Sequence, residues 1–354
     1  MADLRIGEFE LIRRFRRSTL IPPSVASSVV AGIGDDAAVL KPRAGRVLLA
    51  TTDLLAERVH FDLAFTTYRQ LGYKAAMANL SDIAAMGGIP RFVLIALALT
   101  LRETPRDAEA LYAGIQAACH PAGAVVVGGD TSASRSGLFL SLTVLGEAQP
   151  NKVLWRSGAR IGDRLYVTGT LGDAQAGLEI LLMQRDGRQA RGRNTQGTAY
   201  LTGRHLSPTA RLGEARKLAE GGLASAAIDL SDGLAGDLRH ICEESGVGAL
   251  IEVKRLPLST ALIAHARARH RDPTEYALTG GEDYELLFTV PTKAVSRLDA
   301  LIRRGWLRAT AIGAVTTRRK GLRLLGADGA IRPLTARGYE HRLGAHPGTL
   351  SAKG

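Results

Sequence analysis

Aspartates recur in this chain beside glycine, serine or threonine where apolar runs end. They stand in Gly32-Ile33-Gly34-Asp35-Asp36, in Thr51-Thr52-Asp53, in Gly128-Gly129-Asp130-Thr131 and in Ile228-Asp229-Leu230-Ser231-Asp232-Gly233. Asn79-Leu80-Ser81-Asp82 adds a carboxylate on or at the end of a helix. An aspartate that follows an apolar strand points from the sheet edge into a loop, where ligand sites of α/β folds tend to lie. One such residue is explained by a turn or a helix cap; a series of them asks for a shared reason. Like charges gathered together repel and desolvate badly unless cations neutralise them. Oxygen ligands flanked by small residues suit Mg²⁺, which is held by a few carboxylates plus the phosphates of a substrate. The pattern points to a site with several Mg²⁺ ions for a polyphosphate.

Other phosphate-binding devices are absent or fail on inspection. Gly32-Ile33-Gly34-Asp35-Asp36-Ala37 formally matches a dinucleotide fingerprint, but two adjacent carboxylates would repel a bare pyrophosphate. There is no G-x-x-x-x-G-K-[ST] loop and no protein-kinase signature set. Arg156, in Leu154-Trp155-Arg156-Ser157-Gly158-Ala159, offers a guanidinium that can pair bidentately with phosphate oxygens.

The elements that must position these residues alternate along the chain. Strand-like runs are Arg46–Thr52, Phe92–Leu101, Ala124–Val127 and Leu138–Leu145, and helical candidates are Tyr68–Met86 and Pro105–Cys119. A composition change at Gln149-Pro150-Asn151 divides the chain into expected domains 1–150 and 151–345, with a tail at 346–354. The second half restarts with a strand at Arg164–Thr168 and a helix at Ala174–Met183. Gln184–Gly203, polar and rich in Gly and Arg, reads as a mobile loop that should leave the site intact. Helices at Pro208–Glu220, Gly233–Glu244 and Lys293–Arg304 then alternate with strands at Ala226–Leu230, Ala249–Val253 and Tyr284–Val290. The fold class is mixed α/β, of the α+β type, in two halves.

Composition sets bounds on function. The 354 residues carry 46 Lys+Arg against 34 Asp+Glu, a formal charge of +12, and the excess lies almost wholly in residues 151–354. Three basic runs, 185–211, 254–271 and 303–323, hold much of it. Without interleaved aromatics they read as solvated faces, and no nucleic-acid partner is expected. The longest apolar stretch, Phe92–Leu99, is too short for a membrane span, and the N-terminus has no apolar signal core. Cys119 and Cys242 form neither a disulfide framework nor a metal motif. A cytoplasmic protein is expected.

Taken in order, GIGDD at 32–36, Thr51–Asp53 with His60, NLSDIAAM at 79–86, GGDT at 128–131, IDLSDGL at 228–234, TGGEDYEL at 279–286 and Gly338-Tyr339 resemble the thiamine-monophosphate kinases. That family belongs to a superfamily with aminoimidazole-ribonucleotide synthetase and selenophosphate synthetase. The resemblance implies a two-domain fold like the ribonucleotide synthetase, with an N-terminal domain that forms the sheet or barrel of a homodimer and a C-terminal α/β domain. It implies transfer of the γ-phosphoryl group of ATP to thiamine monophosphate. By position, Asp36, Thr51, Thr52, Asp53, Asp82, Asp130, Asp229 and Asp232 match Mg²⁺ positions. Gly129, Asp130, Arg156 and Ser231 match ATP contacts, and His60, Glu282 and Tyr339 match contacts to the thiamine phosphate. No residue is expected to act as a general base, since positioning and metals suffice. The alternative within the superfamily is another ATP-using synthetase or kinase; the first cysteine, Cys119, falls in an expected helix rather than in a reactive N-terminal segment.

Overall fold

The structure, a computed structural model, describes residues 7–33, 37–188, 196–335 and 338–339. Asp35 and Asp36 therefore lie outside the described residues, as does the stretch 189–195 of the expected loop and the tail 346–354. The chain divides into two compact units. Among the described residues the first runs up to Ile83 and resumes over Gly88–Asn151; the second takes Ala84–Gly87 and everything from Lys152.

The first unit contains α1 (Glu8–Ser18), α2 (Pro23–Ala26), β1 (Val29–Ala31), β2 (Val39–Leu40), β3 (Val47–Ala56), α3 (Tyr68–Ala85), β4 (Ile89–Leu99), α4 (Pro105–Cys119), β5 (Val125–Ala133) and β6 (Phe139–Ala148). Its main sheet has the order β3-β6-β4-β5, with β4 and β5 parallel and the other pairs antiparallel. Helix α4 starts where Thr104 and Asp107 form a reciprocal capping box and Pro105 takes the first helical position. The small residues of α3 serve close packing. A Cβ on Gly72 would lie 2.0 Å from the Leu111 carbonyl oxygen, and one on Gly114 would lie 2.0 Å from that of Arg69, so α3 and α4 meet backbone to backbone.

One sheet face is covered and the other open. On β6, Leu140, Leu142 and Val144 are fully buried. On β3, burial alternates, so Thr51, Asp53 and Leu55 share the more covered face while Leu48, Thr52 and Leu54 stand exposed. Here the structure corrects the expectation that Asp53 and Asp130 cap strand ends. Asp53 sits inside β3, paired with Leu142, and Asp130 inside β5, paired with Ala96. The ladders carry both strands past the carboxylates, because β6 and β4 offer partners along their full length.

The second unit contains β7 (Arg164–Thr168), α5 (Asp173–Arg185), α6 (Gln196–Leu206), α7 (Leu212–Gly221), β8 (Ala226–Asp229), α8 (Leu234–Ser245), β9 (Val247–Glu252), α9 (Thr260–Ala268), α10 (Pro273–Thr279), β10 (Leu286–Val290), α11 (Thr292–Arg303), β11 (Ala309–Thr317), β12 (Leu322–Leu325) and β13 (Ile331–Pro333). The sheet order is β13-β12-β9-β11-β7-β10-β8, antiparallel except for β12 on β9. Both faces of its centre are buried. Leu165, Val167, Ile228 and Leu287 pack with Leu238 and Ile241 of α8. Tyr166, Ala227 and Phe288 pack with Leu218 of α7 and Leu298 of α11. A second correction falls here: residues 196–203 belong to helix α6, not to a loop. Its buried residues, Leu201 and His205, face partners that composition does not show.

Candidate active site

In the first unit the site is built from β3 and α3. Thr51 Oγ1 donates to Asp82 Oδ2 at 2.5 Å. Burial, with the nearby Asp82 charge as the smaller cause, pushes Asp53 up to about 6. Two carboxylates and a hydroxyl thus share one partly covered face. Thr52 does not join them: its Oγ1 donates to the Leu142 carbonyl at 3.1 Å and accepts from Thr143 Oγ1 at 3.0 Å.

His60 follows β3 in a turn where Arg58 has φ +66°. Its Nδ1 accepts the Ala56 N–H at 3.0 Å. With Nδ1 filled as an acceptor, the neutral ring carries its proton on Nε2, a donor suited to an anion. On the far edge of the sheet, a Cβ at Gly129 would lie 1.9 Å from the Ile95 carbonyl oxygen, so only glycine lets β5 approach β4 there. Asp130 beside it is exposed. Among the described residues no group of three or more His, Cys, Asp or Glu side chains is arranged to hold a metal ion.

In the second unit, three distant segments are tied together through backbone hydrogen bonds. The turn after β8 accepts at Ser231 O from Glu282 N (2.8 Å) and at Leu230 O from Tyr284 N (2.8 Å). Asp232 O accepts from Tyr339 N at 2.9 Å. Gly236 and Gly338 touch so closely that a Cβ on the first would lie 2.9 Å from the Cα of the second. Ser231, Asp232, Glu282 and Tyr339 are thereby brought to one place, with Asp229 buried at the end of β8. The Gly280–Tyr284 stretch is strained as well: Glu282 and Tyr284 hold φ of +66° and +51°, values disfavoured for residues with a Cβ. Arg156 is exposed and lies beside the edge strand, where the Trp155 carbonyl accepts from Ala227 N at 2.8 Å.

Several residues of this site escaped the sequence reading. Asp237, in the first turn of α8, accepts the Asp232 N–H at 3.2 Å. Burial, then Asp229 and Asp232, pushes it up to about 8. Asp283 is buried and caps α5, accepting from Gly172 N at 2.6 Å and Ala174 N at 3.3 Å. Burial pushes it up to about 7 against the pull of those N–H groups. Glu285, wholly buried, accepts from Thr168 Oγ1 (2.6 Å), Arg204 (2.8 Å) and Arg211 Nε (2.6 Å). Asp283 and Glu285 stood in the quoted motif; the arginines that answer them come from α6 and the start of α7, too far along the chain for spacing to reveal.

The AIR synthase related protein N-terminal domain matches residues 34–148, and the AIR synthase related protein C-terminal domain matches residues 160–324. Thiamine-monophosphate kinase of Salmonella typhimurium (strain LT2) is 39% identical over 341 residues, spanning 95% of this chain and 98% of the relative. The crystal structure of thiamine-monophosphate kinase from Stenotrophomonas maltophilia K279a matches with a TM-score of 0.77 at 35% identity, over 92% of this chain and 97% of that one. AaThiL complexed with AMPPCP and TMP matches with a TM-score of 0.73 at 34% identity, over 97% and 100%. The two matched domains define an AIR synthase related protein. Within that class, the chain belongs to the thiamine-monophosphate kinase family.

Proposed function

We propose that this chain transfers the γ-phosphoryl group of ATP to the phosphate of thiamine monophosphate, giving thiamine diphosphate and ADP. The observation that carries the reading is the convergence of Ser231, Asp232, Glu282 and Tyr339 from three remote segments, in a chain of this family. An acceptor phosphate oxygen attacks the γ-phosphorus, the bond to the bridging oxygen breaks, and ADP leaves. The acceptor is a phosphomonoester with a second pKa of about 6, largely dianionic at pH 7, so no proton need be removed. His60, with its Nδ1 filled, serves as an Nε2–H donor to phosphate rather than as a base. Ser231, Gly129 and Arg156 serve the nucleotide, and Glu282 and the half-exposed Tyr339 serve the thiamine end, where a carboxylate and an aromatic face suit a cationic ring.

Mg²⁺ fits the donor set: Asp53 and Asp82 repel one another across a partly covered face, and Thr51 adds a hydroxyl oxygen. Asp36, Thr51, Thr52, Asp53, Asp82 and Asp130 would hold it in the first unit, Thr52 through its backbone, and Asp229 and Asp232 in the second. When bound, the ions screen two polyanions from each other and draw charge from the transferred group. Cys119 and Cys242 are both buried thiols, in keeping with a reducing, cytoplasmic setting. ADP release measured against a panel of acceptors tests the reading. Release should require thiamine monophosphate and Mg²⁺, and Asp232→Asn should lower turnover by at least ~100-fold. Turnover of free thiamine but not of its monophosphate would overturn the choice of acceptor.

We also propose a homodimer. On the open face of the first unit's sheet Leu48 and Leu54 are 56% and 58% exposed, an apolar surface that a second copy would cover. Register partners run in one row from Asp53 through Leu142 and Ile95 to Gly129. Asp53 and Asp130 thus lie at opposite edges, three strand spacings or roughly 14 Å along the sheet. A Mg²⁺–oxygen bond is about 2.1 Å. Edge-to-edge pairing would set Asp130 of the partner subunit beside Asp53, completing a site that one chain leaves spread out.

A further inference from the structure

Helix α6 is pressed onto α5 where a Cβ on Gly177 would lie 2.1 Å from the Leu201 carbonyl oxygen, so its place along α5 is fixed by a glycine. From there it reaches first the start of α5 and then the GGEDYE segment at 280–285. Tyr200 OH donates to Asp173 Oδ2 at 3.0 Å. Arg204, one turn on, donates to the Asp283 carbonyl at 3.2 Å and to Glu285 at 2.8 Å. His205, its side chain 4% exposed, sets Nδ1 3.1 Å from Glu282 Oε2, an ion-pair approach somewhat off the straight line of a hydrogen bond. An ionised carboxylate only accepts, so the ring proton that faces it sits on Nδ1.

We propose that His205 is a positioning residue for substrate recognition: from α6 it sets the orientation of the Glu282 carboxylate that meets the thiamine end of the acceptor, and does not touch substrate itself. The proposal rests on the reading of Glu282 as a substrate contact. Glutamate has three side-chain torsions to immobilise when it engages a ligand. A buried ring against one of its oxygens settles that orientation during folding, so less freedom is lost on binding. The backbone conformation of Glu282 does the same for the main chain, and Arg204 anchors the next residue, Asp283, so α6 acts as a rail for the whole GGEDYE segment.

The test compares two amides. Asparagine places its N–H₂ near the position of Nδ1, glutamine near that of Nε2. His205→Asn should keep the KM for thiamine monophosphate within about twofold of wild type, whereas His205→Gln should raise it by about tenfold while the KM for ATP stays within about twofold. Glu282→Gln should raise the same KM, and the double variant His205→Gln/Glu282→Gln should be no worse than Glu282→Gln alone. Equal effects of the asparagine and glutamine variants overturn the positioning role. So do effects of His205→Gln and Glu282→Gln that multiply, and in that case the reading of Glu282 stands. An unchanged KM in Glu282→Gln overturns both.

Discussion

Asp53 shows how one side chain registers the demand of its site. Its carboxyl moves from 3.8 to about 6, mainly through burial and secondarily through Asp82. The neutral form is the one the fold prefers. The stability it contributes is therefore complete below the unfolded pKa near 3.8 and is lost as pH rises through about 6. The loss is on the order of 3 kcal/mol. In EDTA, Asp53→Asn should resist urea better than wild type at pH 8 and match it at pH 4, while losing at least ~100-fold in activity with Mg²⁺ present. Identical urea midpoints at both pH values would mean that another group carries the penalty. A proton and a cation also compete for this oxygen, so the Mg²⁺ needed for half-maximal rate should climb below pH 6 in wild type.

At the scale of elements, the parts that sequence could show are those with a local cause. Helix α4 begins at its Pro105 and ends at Cys119 as expected, because its capping box and proline are neighbours in the chain. Strand β7 was readable at Arg164–Thr168 because its apolar run is buried on both faces. The strands bearing Asp53 and Asp130 run further than hydrophobicity suggests, since their outer halves alternate in exposure and hold polar residues that the neighbouring strands still pair. Helix α6 was hidden for a different reason: its inward face carries Arg204 and His205, whose partners lie in a segment far along the chain. Glu285 is where these elements lock, with Arg204 and Arg211 both on a carboxylate that has no solvent exposure. Removing that charge strands two guanidinium groups. Glu285→Ala should cost about 3–5 kcal/mol in urea unfolding, with inactivity that tracks the unfolded fraction. A loss below about 1 kcal/mol would mean that water replaces the pair.

For the whole molecule, almost all of the +12 charge is carried by the second half, yet the carboxylates proposed for Mg²⁺ lie mostly in the first. The described residues contain no helix long and apolar enough to cross a membrane. A second copy of the chain is the proposed cover for the open sheet face. The division of labour across a dimer makes a sharp prediction, because Asp53 and Asp130 would serve the same site from different chains. Asp53→Asn and Asp130→Asn chains, each inactive as a homodimer, can be co-expressed with different tags and the mixed dimer isolated. In that dimer one site combines both substitutions and the other has neither. The mixed species should recover about half the wild-type turnover per dimer. If both aspartates act from a single chain, every site in the mixed dimer carries one substitution and turnover stays at the level of the parents. The outcome decides whether the distance between β3 and β5 is bridged within the sheet or across its edges.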